Sequence, residues 1–298
     1  MQIRLTRLGA ALTLLSTAAA ALVAVIALPG IASATTVSSV RSFDGGVLDA
    51  GASRVYTWTN ANSDIYEVSP AGVRSSDSSR PCAVQVVDQW YRRAAGGARQ
   101  FQMRIENSDS VACAVTVRMA LFAADRTGST GTIQPGSSKA WIWHSSNFAK
   151  NVYLIGVTPN EPASGTCQLD VDWRTRVAPS GEQQFYWSVR NTGAVACDGA
   201  WKLGWVPVQS TTTFTDEPSP PGGIGSLSGL VNSDTYRVFV WGLIPIETSD
   251  GNCDWGPRYY GNLGDPAVPT AEARWFVAYR NAGSTTCELR KVTRSFID

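Results

Sequence analysis

The residues able to do chemistry are few and unevenly spread. His144 is the only histidine. A Ser–His–Asp triad would need it together with an acidic orienter, and the chain has no G-x-S-x-G elbow. One histidine cannot build a zinc site without partners. His144 directly follows Trp143, so in an extended strand it points away from the aromatic face. Carboxylates that could act in pairs on a glycoside are scattered: Asp64, Glu67, Asp170, Asp172, Glu247 and Asp254. Of these, only Asp170 and Asp172 share a face by period two. Asp250-Gly-Asn-Cys-Asp254 lacks the full ligand spacing of a calcium loop. Gly222-Gly223 sits beside prolines as a loop and not as a phosphate cradle. No residue pattern asks for a metal or a cofactor.

A different chemistry is written three times. Trp90-Tyr91-Arg92-Arg93, Trp173-Arg174-Thr175-Arg176 and Arg258-Tyr259-Tyr260 each mix aromatic rings with arginine. Rings give flat apolar area and polar neighbours fix orientation, as in sites for sugars or peptides. Arginine also stacks on rings. The alternative use is structural, with rings capping a core while the guanidinium groups reach water. The stretches are expected in loops after a strand opened by a cysteine.

Those cysteines reveal the elements that must carry the rings. They are Cys82, Cys113, Cys167, Cys197, Cys253 and Cys287. Fifteen pairings are possible, and the repetition selects Cys82–Cys113, Cys167–Cys197 and Cys253–Cys287. The segments before the second cysteine of each pair align without gaps: RQFQMRIENSDSVAC from Arg99, QQFYWSVRNTGAVAC from Gln183 and ARWFVAYRNAGSTTC from Ala273. Large apolar residues alternate in all three, the period of a half-buried strand. Asn107, Asn191 and Asn281 then coincide, followed in two copies by Gly193 or Gly283. Asn and Gly suit the left-handed backbone of a tight hairpin, so a turn is expected here and not a catalytic motif. Trp187, Trp201, Trp205, Trp255, Trp275, Phe101 and Phe185 fall on the core faces. Tyr186 and Phe276 fall on the opposite face.

A second match pairs Gly46–Trp58 with Gly131–Trp143, and the third copy is read as having lost this block. The chain is therefore expected to be all-β: three tandem antiparallel β-sandwich repeats at 37–123, 124–207 and 208–298, the last divergent. In size and strand count they resemble immunoglobulin-type sandwiches. No tryptophan recurs between the cysteines at a common place, and the cysteine spacing is shorter than in that family. Bridged strands separated by one strand cannot be flat neighbours, because cysteines about 9–10 Å apart cannot bond. Facing sheets are expected instead.

The N-terminus sets the compartment. Arg4 and Arg7 precede an apolar stretch from Leu8 to Ile31 and the Ala32-Ser33-Ala34 pattern of signal-peptide cleavage. Residues 1–34 read as a signal peptide, leaving 298 − 34 = 264 residues with 23 basic and 24 acidic side chains once Arg4 and Arg7 are removed. That balance excludes a nucleic-acid partner and electrostatic attachment to anionic membranes. The expectation is a secreted, extracellular protein with no stable membrane insertion after cleavage. Its expected role is non-catalytic binding of an extracellular glycan or cell-surface protein through the repeated rings and arginines. The alternatives are an extracellular structural or protein-interaction module, such as a coat component or protease-blocking protein, and a glycoside hydrolase.

Overall fold

Alternation of apolar side chains decides where the strands lie. Phe101, Met103 and Ile105 are buried on one strand, Phe185, Trp187 and Val189 on a second, and Trp275, Val277 and Tyr279 on a third. The computed structural model describes residues 36–297 except 63, 78–79, 81, 214–217, 233–237, 247–251 and 265–271. The signal-peptide expectation and Glu247 therefore lie outside the described residues. The described chain is all-β, and Ser33–Asp298 form one unit.

Six strands come first: β1 (Val37–Leu48), β2 (Ser53–Thr59), β3 (Ile65–Ser75), β4 (Cys82–Ala94), β5 (Arg99–Asn107) and β6 (Cys113–Phe122). The next six are β7 (Arg126–Ser129), β8 (Ser138–Trp143), β9 (Asn151–Pro159), β10 (Thr166–Val177), β11 (Gln183–Asn191) and β12 (Gly199–Pro207). The last are β13 (Ser210–Thr213), β14 (Ile224–Asn232), β15 (Val238–Pro245), β16 (Cys253–Gly264), β17 (Glu272–Asn281) and β18 (Leu289–Ile297). Each run of six pairs in the same way. Its first, sixth and third strands form a three-stranded antiparallel sheet: β1-β6-β3, β7-β12-β9 and β13-β18-β15. Its second, fifth and fourth strands also pair in that order.

The fourth strands join the runs. The end of β4 pairs with the start of β10, at Trp90↔Asp170 through Ala94↔Thr166. The end of β10 pairs with the start of β16, at Thr175↔Trp255 through Val177↔Cys253. The end of β16 pairs with the start of β4, at Tyr260↔Val86 through Gly264↔Cys82. The three strands thus close a triangle inside one nine-stranded sheet. Gly261 is required at the last joint, since a Cβ there would lie 2.8 Å from Gln85 Cα and collide with the Val84 carbonyl.

Every disulfide links a fourth strand to a sixth strand or its approach, crossing between facing sheets. The Cα separations are 5.9 Å for Cys82–Cys113, 5.4 Å for Cys167–Cys197 and 5.5 Å for Cys253–Cys287. In the chain-entropy view a bridge closing about 30 residues contributes roughly 3–4 kcal/mol.

Two expectations need correction. The Asn–Gly segment is a crossing between sheets and not a tight hairpin, and neither Asn191 nor Gly193 has a positive φ. Asn107, Asn191 and Asn281 are fully buried. Each amide nitrogen donates to the carbonyl two residues before the cysteine, at 2.7–2.9 Å, and to the segment preceding the run's second strand. Each amide oxygen accepts the N–H two residues on, at 2.9 Å. Glycine follows because the chain passes close by. A Cβ on Gly193 would lie 2.9 Å from Gln168 N and Thr166 O.

Nor is the second-strand block lost in the third run. β14 pairs with β17 as β2 pairs with β5 and β8 with β11. What has changed is that the second strand no longer carries a ring opposite the fifth-strand ring. Trp58 lies opposite Phe101 and Trp143 opposite Phe185, whereas Gly229 lies opposite Trp275 and Gly225 opposite Tyr279. A Cβ on either glycine would strike the facing ring at 2.5–2.9 Å. Apolar spacing alone hid the strand because two of its core positions are empty of side chain.

Candidate functional site

The ten ring and arginine residues expected in loops lie in strands. All are on β4, β10 or β16, because the fourth strands run on to pair with one another. This gives most of them structural partners. Tyr91 is buried and packs against the stacked rings of Tyr66 and Phe101, at 6.2 and 5.1 Å. Trp90 Nε1 donates to Gln102 Oε1 at 2.6 Å. Arg92 and Arg93 pair across the joint with Gln168 and Cys167, and Arg93 reaches Glu161 at 2.7 Å. At the β10–β16 joint Arg176 grips buried Asp254 with two bonds of 2.6 and 2.8 Å. Arg174 stacks over the Tyr186 ring at 4.2 Å.

Four of the ten, Trp173, Arg258, Tyr259 and Tyr260, do something else. They border a cavity of about 210 Å³. Its position follows from the strand pairing. Each fourth strand is paired to a different neighbour at each end, so a stretch between the two joints is left facing no other fourth strand. Residues in and beside those stretches, Val86–Gln89, Asp170–Trp173 and Pro257–Tyr260, line the cavity. Two of them carry bulges, between Val86 and Asp88 and between Pro257 and Tyr259. Bulges re-aim side chains and gather beside binding sites. The third strands of the three runs supply the remaining lining: Glu67 from β3, Tyr153 and Leu154 from β9, and Trp241 from β15.

Aromatic rings form much of the wall. Tyr153 stacks on Phe185 at 5.3 Å and Phe185 meets Trp173 at 5.7 Å. Trp173 meets Trp241 at 5.3 Å, and Trp241 meets Tyr260 edge-on at 6.1 Å. Carboxylates supply the polar lining. Asp172 is exposed, while Asp88 and Asp170 are partly buried. Burial lifts the Asp170 carboxyl to about 6, aided by the charge of Asp88 and opposed by a hydrogen bond from Thr192. Crowding by the surrounding chain also raises the Asp172 carboxyl, opposed by the Arg174 charge, although the residue keeps solvent contact. Glu67 is lifted to about 8 by burial alone, so at neutral pH it is mostly protonated. Gln89 Oε1 is sealed from solvent without a hydrogen bond. So is the Tyr260 hydroxyl, beside the backbone of Val68.

In the sequence Asp170 and Asp172 share a strand face, and Glu67 stands apart from them. No spacing connects Glu67 to the other two. Only the closure of the fourth strands does so. Asp254, Asp64 and His144 are elsewhere. Asp254 holds Arg176, Asp64 caps a local turn with Asn62 and Ser38, and His144 is exposed beside Glu182 at 2.9 Å. Among the described residues no group of three or more His, Cys, Asp or Glu side chains could hold a metal ion. No described helix is long and apolar enough to cross a membrane.

Comparison with known proteins adds little. No family model and no solved structure matches the chain. A stretch of 103 residues is 30% identical to Cathepsin R of Mus musculus, covering 30% of this chain and 30% of that protein. The chain thus spans under a third of the relative it matches. That relative bears a protease-family name, whereas all six cysteines here are in disulfides and none is free as a nucleophile.

Proposed function

We propose that the protein is an extracellular binding protein for glycans, and that the cavity within the fourth-strand triangle is its binding site. The three disulfides support an oxidising compartment. One observation carries the reading: a single cavity combines the rings of Trp173, Trp241 and Tyr260 with the carboxylates of Asp88, Asp170 and Asp172. Rings present flat apolar faces and carboxylates accept hydrogen bonds from hydroxyl or amino groups. The repeated stretches then act together on one site. Multivalent capture by three separate loops is replaced by one jointly built pocket.

The test is retention of the purified protein on insoluble polysaccharides and cell walls. A variant with Trp173→Ala and Trp241→Ala runs beside it, after circular dichroism has checked its fold. Retention of the wild type with loss in the variant supports the reading. Equal retention of both moves binding away from the cavity.

A glycoside hydrolase is the second reading. Glu67 and Asp170 share the cavity with carboxyls raised by different amounts, the pattern that separates an acid from a base. Release of reducing sugar that disappears in both Glu67→Gln and Asp170→Asn would favour it over simple binding.

A further inference from the structure

We propose that the cavity recognises an organic ammonium group, a primary or quaternary amine borne on a small polar molecule. The inference rests on the cavity being the binding site. It goes beyond that reading by naming the chemical group held.

The lining is strongly biased toward acceptors. Asp88, Asp170 and Asp172 line the cavity with Arg258 as the one cation of the lining, while Arg104 at 3.3 Å from Asp88, Arg190 beside Asp170 and Arg174 beside Asp172 approach the carboxylates from outside it. Gln89 keeps its amide oxygen without a partner. A neutral sugar needs donors and acceptors in comparable number, because each hydroxyl can do both. An ammonium group donates only, and a quaternary one offers charge without any donor. The rings suit both, since the face of an aromatic ring attracts cations. Trp173 and Trp241 are tilted by 54°, and Trp241 and Tyr260 by 62°, so the rings stand as adjoining walls and not as one flat shelf. A wall of this kind surrounds a compact cation better than it stacks a flat sugar face.

Glu67 completes the argument. It lines the cavity from β3, and burial is what acts on its carboxyl. The groups around it are Asp88, Gln89 and Tyr91 from β4, Asp170 and Asp172 from β10, Arg258 and Tyr260 from β16, Tyr153 from β9 and Trp241 from β15. An arriving ammonium supplies a positive charge. The Glu67 O–H bond then breaks, its proton passes to the buffer, and the carboxylate left behind pairs with the bound cation. Binding therefore strengthens as pH rises toward 8.

The experiment is calorimetric titration of the purified protein with choline and glucosamine, beside glucose and N-acetylglucosamine as neutral counterparts. At pH 7.5 the ammonium compounds should bind about tenfold or more tightly than the neutral ones. Whichever of choline and glucosamine binds better identifies a quaternary or a primary amine. For choline, whose charge does not titrate, affinity should fall about tenfold from pH 8 to pH 6, and the observed heat should vary with buffer ionisation enthalpy as one proton is released. Glu67→Gln should remove both effects. Trp241→Phe, which keeps the wall, should retain binding, whereas Trp241→Ala should lose it with an unchanged circular dichroism spectrum. Equal binding of the neutral sugars, or no binding of either amine, overturns the inference. Retention on glycans without amine binding overturns it while leaving the binding reading intact. Amine binding without retention overturns the glycan reading alone.

Discussion

The asparagine clasp and the middles of the third strands are both built by three matching positions, and they differ in one respect. At the clasp the residue is the same each time: Asn107, Asn191 and Asn281, all fully buried and all bonded alike. On the third strands the matching positions are Glu67, Leu154 and Val240, facing Ala120, Gly204 and Ser295 of the sixth strands. Val240 and Leu154 sit in an apolar cluster with Ile65, Phe122 and Val152. The carboxyl at Glu67 breaks that pattern. Identity at the clasp serves the fold, since each run must solve the same crossing between sheets. Departure from identity next to a cavity has no such structural reason, and it directs attention to ligand chemistry.

The largest expected effect tests the identical half. Asn191→Ala removes two donors and an acceptor, leaving the Val195 carbonyl and the Gly193 N–H without their side-chain partner, while the Ile133 carbonyl keeps only the Cys197 N–H. Unpaired buried polar groups cost about 1–3 kcal/mol each. Denaturant unfolding should show a loss of about 3–5 kcal/mol. Asn191→Asp should also destabilise, because a carboxylate cannot donate. A loss below about 1 kcal/mol for both would mean that the clasp is not what fixes the crossing.

The second tests the exception. Glu67 titrates near 8 when folded against 4.5 for an ordinary glutamate. The folded state therefore holds its proton over a range where the unfolded state has released it. The stability tied to this proton is full below about 4.5 and is lost as pH rises through 8. The total is on the order of 3 kcal/mol after allowing for the exposure Glu67 keeps in the cavity. Glu67→Leu, which copies the second run, should flatten that slope and raise stability at pH 8.5. An unchanged slope would show that Glu67 ionises without cost.

A smaller effect concerns the joints. Asp254 is almost wholly buried and is held by Arg176, with Arg174 at 3.8 Å. Arg176→Ala leaves the carboxylate with the weaker partner. The expected loss is about 2 kcal/mol, less than for a fully buried pair because Arg176 is partly exposed. It should shrink in Arg176→Ala paired with Asp254→Asn. If the two changes are simply additive, the ion pair is not what seals this joint.

These comparisons show what the sequence could reveal. Period-two burial and the cysteine spacing lie along the chain, so the strands, the disulfides and the facing sheets were legible. The cavity was not. It exists because strands far apart in sequence pair end to end in a ring, and no local pattern records that Tyr260 meets Val86 or that Trp90 meets Asp170. The same closure explains why the ring and arginine stretches were misplaced in loops. Their polar residues resemble a loop in a single run, yet satisfy the edge of the next run. Glu67 was visible as an acid, but its burial is a tertiary property.

The smallest effect tests whether the three runs are interchangeable where their side chains differ. In the first run Trp58 on β2 faces Phe101, and in the third Gly229 on β14 faces Trp275. The third run has no ring on its second strand, and the larger Trp275 indole lies over Gly229 instead. Gly229→Ala places a methyl 2.8–2.9 Å from the Trp275 indole and should cost about 1–2 kcal/mol through overpacking. Trp275→Leu should cost about 2–3 kcal/mol by opening a cavity. Combined, the added methyl enters space the indole has vacated, so the double variant should be about 1 kcal/mol more stable than the sum of the single losses predicts. Strict additivity in thermal unfolding would mean that glycine and tryptophan are not complementary here. The third run would then differ from the first in its packing as well as in lacking a ring on its second strand.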